Sequence, residues 1–103
     1  MRALKFTPRA RADLDSIWDY TADTWGIAQA DRYILGIRDT CLALARSEIT
    51  GRDASDILPG YREIQSGRHV IFFRLPDENT LDVVRILHGR MDFPAHLRSD
   101  DEP

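Results

Sequence analysis

Hydrophobic positions change period once along this chain, and the change divides it into a helical half and a stranded half. Leu4–Phe6 reads as a short opening strand. Thr7-Pro8 then reads as a helix start, with the threonine hydroxyl free to cap and the proline at the first helical position, where its missing N–H costs nothing. Leu14, Ile17, Trp18, Thr21 and Trp25 follow at helical spacing, and Gly26 marks the end of that helix. A second stripe of Ala30, Tyr33, Ile34, Ile37, Cys41, Leu44 and Ala45 predicts a helix over about 28–45, folding back on the first as an antiparallel hairpin.

The segment 47–59, with Gly51, Asp53, Ser55, Asp56 and Pro59, reads as a connecting loop. Beyond it the pattern is that of strands, predicted over 61–65, 68–75 and 81–87. Ser66-Gly67 and Pro76-Asp77-Glu78-Asn79 supply the turns of an antiparallel meander. Val70, Ile71, Phe72 and Phe73 run consecutively, as do Val83 and Val84 before Ile86, so the last two strands are expected at the centre of the sheet with both faces covered. Gly89–Asp92 breaks the third of these strands, and Phe93–Leu97 is expected to form a final turn or tail. The predicted order is β-α-α-β-β-β: an α+β domain in which an antiparallel helical hairpin packs on a small antiparallel sheet. One such domain is expected over residues 1–98, followed by an acidic tail at 99–103.

Charge narrows the functional classes. The 14 Lys and Arg against 17 Asp and Glu give −3, but Asp100, Asp101 and Glu102 account for that excess and the rest is balanced. Binding to a dense polyanion normally needs a basic excess or a basic face, and the totals show none, although a local cluster fits within them. Every basic residue except Lys5 is an arginine, a residue suited to fixed planar contacts with carboxylate or phosphate. Cys41, the only cysteine, lies in an apolar stripe and reads as a small buried hydrophobe in a reducing, cytoplasmic setting. No stretch has the length of a membrane span or the pattern of a signal peptide. The three histidines lack paired zinc-ligand spacing and Cys41 has no second thiol to join, so neither a metal nor another cofactor is expected.

Particular strings carry a family resemblance. Ala12-Asp13-Leu14 with Ile17, Tyr20 and Trp25-Gly26 resembles the first helix of ParE toxins, and Ala30, Tyr33 and Ile37 resemble the second. Gly60-Tyr61-Arg62 resembles the entry to the first meander strand. His69-Val70-Ile71-Phe72-Phe73-Arg74, then Val83-Val84-Arg85-Ile86-Leu87-His88-Gly89-Arg90-Met91-Asp92, is similar to the family's C-terminal signature. The likeness spans residues 3 to 97 and departs in one place. The family often has a proline shortly before the loop's Gly-Arg, whereas Glu48-Ile49-Thr50 precedes Gly51-Arg52 here, which bears on the path of that loop.

The resemblance to the RelE/ParE superfamily implies the toxin of a type II toxin–antitoxin pair. Such a toxin is neutralised in a hetero-oligomer by a ParD-like antitoxin and has DNA gyrase, hence replication, as its target. The RelE-like branch implies the alternative, ribosome-dependent mRNA cleavage, and an inactive antitoxin-binding module is a third reading; a shared fold does not choose among them. Metal-independent RNA cleavage needs a general base, a general acid and cations for the transition state. His69, His88 and His96 with Arg62, Arg74, Arg85 and Arg90 offer those types, but Arg74 and Arg85 face each other across a hairpin and read equally as surface ion pairs. His88 and Arg90, at a strand end, read equally as turn-closing residues. The reading is therefore of a non-enzymatic toxin without sequence-specific nucleic-acid binding. Arg74, Arg85, His88, Arg90 and Met91 are its target-binding candidates. Trp18, Trp25 and Tyr61 are candidate antitoxin anchors on the hairpin groove and sheet edge, since large aromatics dominate interface energetics.

Overall fold

The computed structural model describes residues 1–101, with side chains described as far as residue 97; the acidic side chains of Asp100, Asp101 and Glu102 lie outside the described residues. Strand β1 (Ala3–Phe6) leads into helix α1 (Pro8–Trp25), then α2 (Ile27–Ala45), β2 (Arg52–Asp53), β3 (Arg62–Ser66), β4 (His69–Asp77), β5 (Thr80–His88) and α3 (Phe93–Asp101). The start of α1 forms as its residues dictate: the Thr7 hydroxyl accepts the Ala10 amide at 3.1 Å, with Pro8 in the first turn.

The five strands lie in the order β1-β5-β4-β3-β2, which puts β4 and β5 in the interior, as their apolar runs require. The meander β3-β4-β5 is antiparallel, whereas β1 joins β5 in parallel, with Ala3 opposite Thr80 and Phe6 opposite Val83. The parallel pairing follows from connectivity, because the whole hairpin and three strands intervene before the chain returns beside β1. Two apolar layers result. Ala10, Ile17, Ile37, Cys41 and Leu44 of the hairpin pack on Ile71, Phe73, Leu81, Val83 and Ile86 of one sheet face. Ala54, Tyr61, Phe72, Val84, Leu87 and Leu97 form a second cluster on the other.

That second layer corrects the expectation for 93–97. These residues open a helix rather than a turn or tail, because Leu97 is fully buried and the Phe93 ring meets Phe72 edge-on at 4.9 Å. Burying one face of a strongly apolar sheet requires such a cover. Two smaller differences concern turns. Pro76 and Asp77 extend β4, leaving Glu78-Asn79 as the tip, where Asp77 Oδ1 accepts the Asn79 amide at 2.8 Å. Within the 47–59 loop, Arg52–Asp53 adds a two-residue strand to β3. Gly51 makes that approach possible: φ is +68°, and a Cβ there would sit 2.7 Å from the Glu63 carbonyl oxygen. The loop is fixed without the family's usual proline by Arg62, whose guanidinium donates to the carbonyls of Thr50 and Gly51, each at 3.2 Å.

Where β1 ends, α1 continues the hydrogen bonding along the outer edge of β5. Thr7 Oγ1 donates to the Val84 carbonyl at 2.7 Å, and Asp13 Oδ2 accepts the Ile86 amide at 2.9 Å. An edge that would otherwise offer unpaired groups is thereby closed by side chains. No helix among the described residues is long and apolar enough to cross a membrane.

Candidate functional site

A groove of about 910 Å³ opens where the free end of the helical hairpin overhangs the start of β4 and the end of β5. Its floor begins with register: His69 and His88, the first residue of β4 and the last of β5, are direct cross-strand partners, with ring centroids 5.3 Å apart and edge to face. Tyr33 reaches down from α2 and shares a 2.6 Å hydrogen bond with His69 Nδ1, while its oxygen accepts the Arg68 amide at 3.0 Å. Gly67 is placed under this ring with φ +60°, and a Cβ there would come within 2.8 Å of Tyr33. The turn and the tyrosine are thus fitted to each other.

The tautomer of His88 follows from its neighbour. The Arg90 amide donates to His88 Nδ1 at 3.2 Å, so that nitrogen is unprotonated and the neutral ring carries its proton on Nε2. Burial, together with the neighbouring His88, holds His69 below the ordinary histidine range, against the opposing field of Asp13. The groove walls are aromatic. Tyr20 and Trp25 from α1 are 69% and 68% exposed, and Met91 closes the far side at 45%. Arg32 and Arg68 stand at the mouth.

This arrangement sorts the candidates. Trp25, His88 and Met91 meet in the groove, and Arg90 lies exposed on the adjoining loop. Arg85 points elsewhere. The register passes from Phe72 opposite Arg85 to Phe73 opposite Val83, an irregularity that places one extra residue in β5 and re-aims Arg85 toward α1. There its Nε and NH2 grip Asp13 Oδ2 and Oδ1, both at 2.8 Å, with side chains only 11% and 13% exposed. As a target contact Arg85 is corrected: its guanidinium is occupied inside the fold. Arg74 lies on the sheet's second face, with its guanidinium carbon 5.5 Å from the centroid of the Tyr61 ring. Instead of the surface ion pairs expected for both, Arg85 forms a largely buried pair with Asp13 and Arg74 lies over the Tyr61 ring. Tyr61 is 2% exposed, a core residue rather than a surface anchor. Trp18 is half-buried and joins the two helices through Nε1 to Asp31 Oδ1 at 2.9 Å.

Sequence reasoning missed Tyr20, Arg32 and Arg68 as groove residues. It considered His69 and His88 as separate proton carriers, without their pairing. The pairing was available in principle, because a tight Ser66-Gly67 turn and the following Glu78-Asn79 tip fix the register of the meander. Nothing in the pattern signals that Arg32 and Arg68 line the same groove.

Comparison with known proteins agrees with this architecture. Residues 4–93 match the family described as the ParE toxin of type II toxin-antitoxin system, parDE. Toxin ParE1 of Mycobacterium tuberculosis is 42% identical over 91 residues, spanning 88% of this chain and 93% of the relative. Toxin ParE of Escherichia coli is 36% identical over 97 residues, 94% of either chain. The solved chromosomal ParDE TA system from P. aeruginosa has a chain that superposes with a TM-score of 0.73 at 26% identity, covering 85% of this chain and 96% of that one. The hairpin, the meander and the strand-end signature from His69 to Asp92 thus fall inside one continuous family match, and the chain belongs to the ParE toxins of type II toxin–antitoxin systems.

Proposed function

We propose that this toxin acts by binding rather than by cutting: it inhibits DNA gyrase in the cytoplasm and is held inactive by a ParD-like antitoxin. The observation that carries the reading is the exposed aromatic and methionine rim of the groove, set over a floor whose groups are already held in place. His69 Nδ1 is held by Tyr33, and His88 Nδ1 is held by the Arg90 amide. Arg85, the cation nearest in sequence to His88 among the strand arginines, is locked to Asp13. The two histidine contacts use the Nδ1 nitrogens and fix the orientation of both rings, leaving Nε2 open. The exposed rim of Tyr20, Trp25 and Met91 suits docking, since aromatic and methionine side chains carry interface energy. Antitoxin binding over Trp25 and Trp18 and target contact through His88, Arg90 and Met91 complete the proposal.

Two measurements test it. Purified toxin is added to a gyrase supercoiling assay with and without a ParD-like partner, and DNA and protein synthesis are followed separately after induction in cells lacking that partner. Inhibition of supercoiling, relieved by the antitoxin, and early loss of DNA synthesis are expected. Rapid translation arrest with cut transcripts points instead to the RelE-like activity, and unaffected growth to an inactive antitoxin-binding module; either result overturns the proposal.

A further inference from the structure

Seventeen of the 103 residues are acidic, yet the side chains lining the groove include no carboxylate. They include two arginines and two histidines instead. Neither arginine has a carboxylate partner among the described residues. Arg32 donates to Gln29 Oε1 at 2.9 Å, a neutral partner. Arg52 and Arg85 show the contrast, each bonded to an acid. Asp13, the carboxylate whose field reaches His69, is already tied to Arg85. The groove is thus a positive enclosure in a chain of net charge −3, which no total reveals.

Its remaining surface is aromatic and poised. Tyr20 and Trp25 keep about two-thirds of their surface in solvent although both line the groove. The proton on His88 Nε2, assigned by the Arg90 contact, makes the ring a hydrogen-bond donor rather than an acceptor. Tyr33 is held from two sides, so the floor is already in place before any ligand arrives. The volume of about 910 Å³ lies at the upper end of small-molecule pockets, roughly 300–1,000 Å³. Unpaired guanidinium groups select an anion, and open aromatic faces select a planar ring. A ligand that carries both a few ångströms apart is a nucleotide.

We propose that this groove binds a base-bearing phosphate, with the base stacked on Trp25 and Tyr20 and the phosphate held by Arg68 and Arg32. Two sources share that chemistry: a free mononucleotide and a single strand of nucleic acid. The site shares Trp25, His88 and Met91 with the proposed antitoxin and target contacts, but its test uses the toxin alone, so either proposal can fail without the other.

The probe is Trp25 itself, because a stacked base quenches indole fluorescence. Trp18→Phe leaves Trp25 as the sole reporter, and indole N–H chemical shifts on the unaltered chain supply a second readout that needs no substitution. Adenosine monophosphate, adenosine, inorganic phosphate and a short oligothymidylate are titrated in low salt. Saturable quenching by the monophosphate is expected, with adenosine and phosphate alone each weaker by about tenfold or more, as befits two half-ligands. Arg68→Ala and Arg32→Ala should each raise the dissociation constant about fivefold or more, whereas Arg52→Ala, on the distant β2 edge, should leave it unchanged. If the oligothymidylate binds at least about tenfold tighter than the monophosphate and with a steeper salt slope, the ligand is a strand; equal affinity assigns a free nucleotide. Absence of saturable binding by both probes overturns the proposal. So does binding indifferent to Arg68→Ala, which would mark the aromatic rim as a surface for an apolar peptide.

Discussion

Replacing Asp13 with asparagine should remove more stability than any other single change of charge in this protein. The carboxylate closes three bonds at once: two to the Arg85 guanidinium, both 2.8 Å, and one from the Ile86 amide at 2.9 Å. It thereby ties α1 to the edge of β5 beyond the reach of β1. Breaking a buried pair by removing one partner costs about 3–5 kcal/mol, because the surviving charge stays desolvated without compensation. Exposures of 11% and 13% let some water reach the pair, which favours the lower end. The asparagine oxygen keeps one acceptor for either Ile86 or Arg85, so a net loss of about 3 kcal/mol is expected. For a domain near 100 residues that is a fall in Tm of roughly 12–24 °C. Urea denaturation of Asp13→Asn, Arg85→Met and the Asp13→Leu/Arg85→Met double variant gives the test. The double variant should recover at least about half of the loss, since an apolar pair of similar size often replaces a buried ion pair at little cost. Strictly additive losses, or a cost for Asp13→Asn below about 1 kcal/mol, would refute the view that the pair and the edge bond act together.

Three further outcomes follow from the same structure. Gly67→Ala should cost about 1–3 kcal/mol, because φ is +60° and the new methyl group meets the Tyr33 ring at 2.8 Å; a loss of the Tyr33–His69 contact in NMR spectra should accompany the fall in Tm. Stability should decline on acidification, because His69 titrates lower in the folded protein than in the unfolded chain. The unfolded state then binds more protons below the ordinary histidine pKa near 6.5, and the penalty grows as pH falls from there toward the folded value, with no effect above it. Denaturation midpoints from pH 8 to pH 5 should show that slope, and His69→Gln should flatten it. Cys41, fully buried with its thiol pushed up to about 12, should react with a thiol reagent only through global unfolding, so Asp13→Asn should speed labelling by about 100-fold; fast labelling of the unaltered chain would show local opening of α2 instead.

Much of the fold was legible because the residues that build it act locally. Thr7-Pro8 specifies a helix start, two apolar stripes specify a hairpin, and Val70–Phe73 with Val83–Ile86 specify interior strands, whatever lies elsewhere in the chain. What stayed hidden depends on contacts far apart in sequence. The helix at 93–101 is stabilised by Leu97 and Phe93 meeting Phe72, and nine residues with a proline at the second position carry little helical signal alone. The two-residue β2 exists only because Gly51 lets the chain approach Glu63. Trp25 sits in register with the buried Ile17 and Thr21 along α1, so its spacing reads as core. It is nonetheless 68% exposed, on the wall of the groove, at the last residue of the helix.

The same distinction explains why a list of chemically promising residues divided as it did. Arginine and histidine are equally able to hold a structure together or to meet a ligand, and the deciding quantity is whether a partner inside the fold satisfies them. The extra residue in β5 turns Arg85 to Asp13, which spends its two-pronged geometry on the edge of the sheet. From Arg85 onward the strand is regular again, and His88, three residues later, falls opposite His69 on the floor of the groove. A shift of one residue in a strand exchanges its faces. The irregularity at Phe72/Phe73 therefore sets which of these cations serves stability and which ring is offered to a ligand. Deleting Val84 would restore regular pairing at that point, displacing both Arg85 and His88 from these places, so the sheet's stability and the groove's chemistry depend on one residue's worth of register.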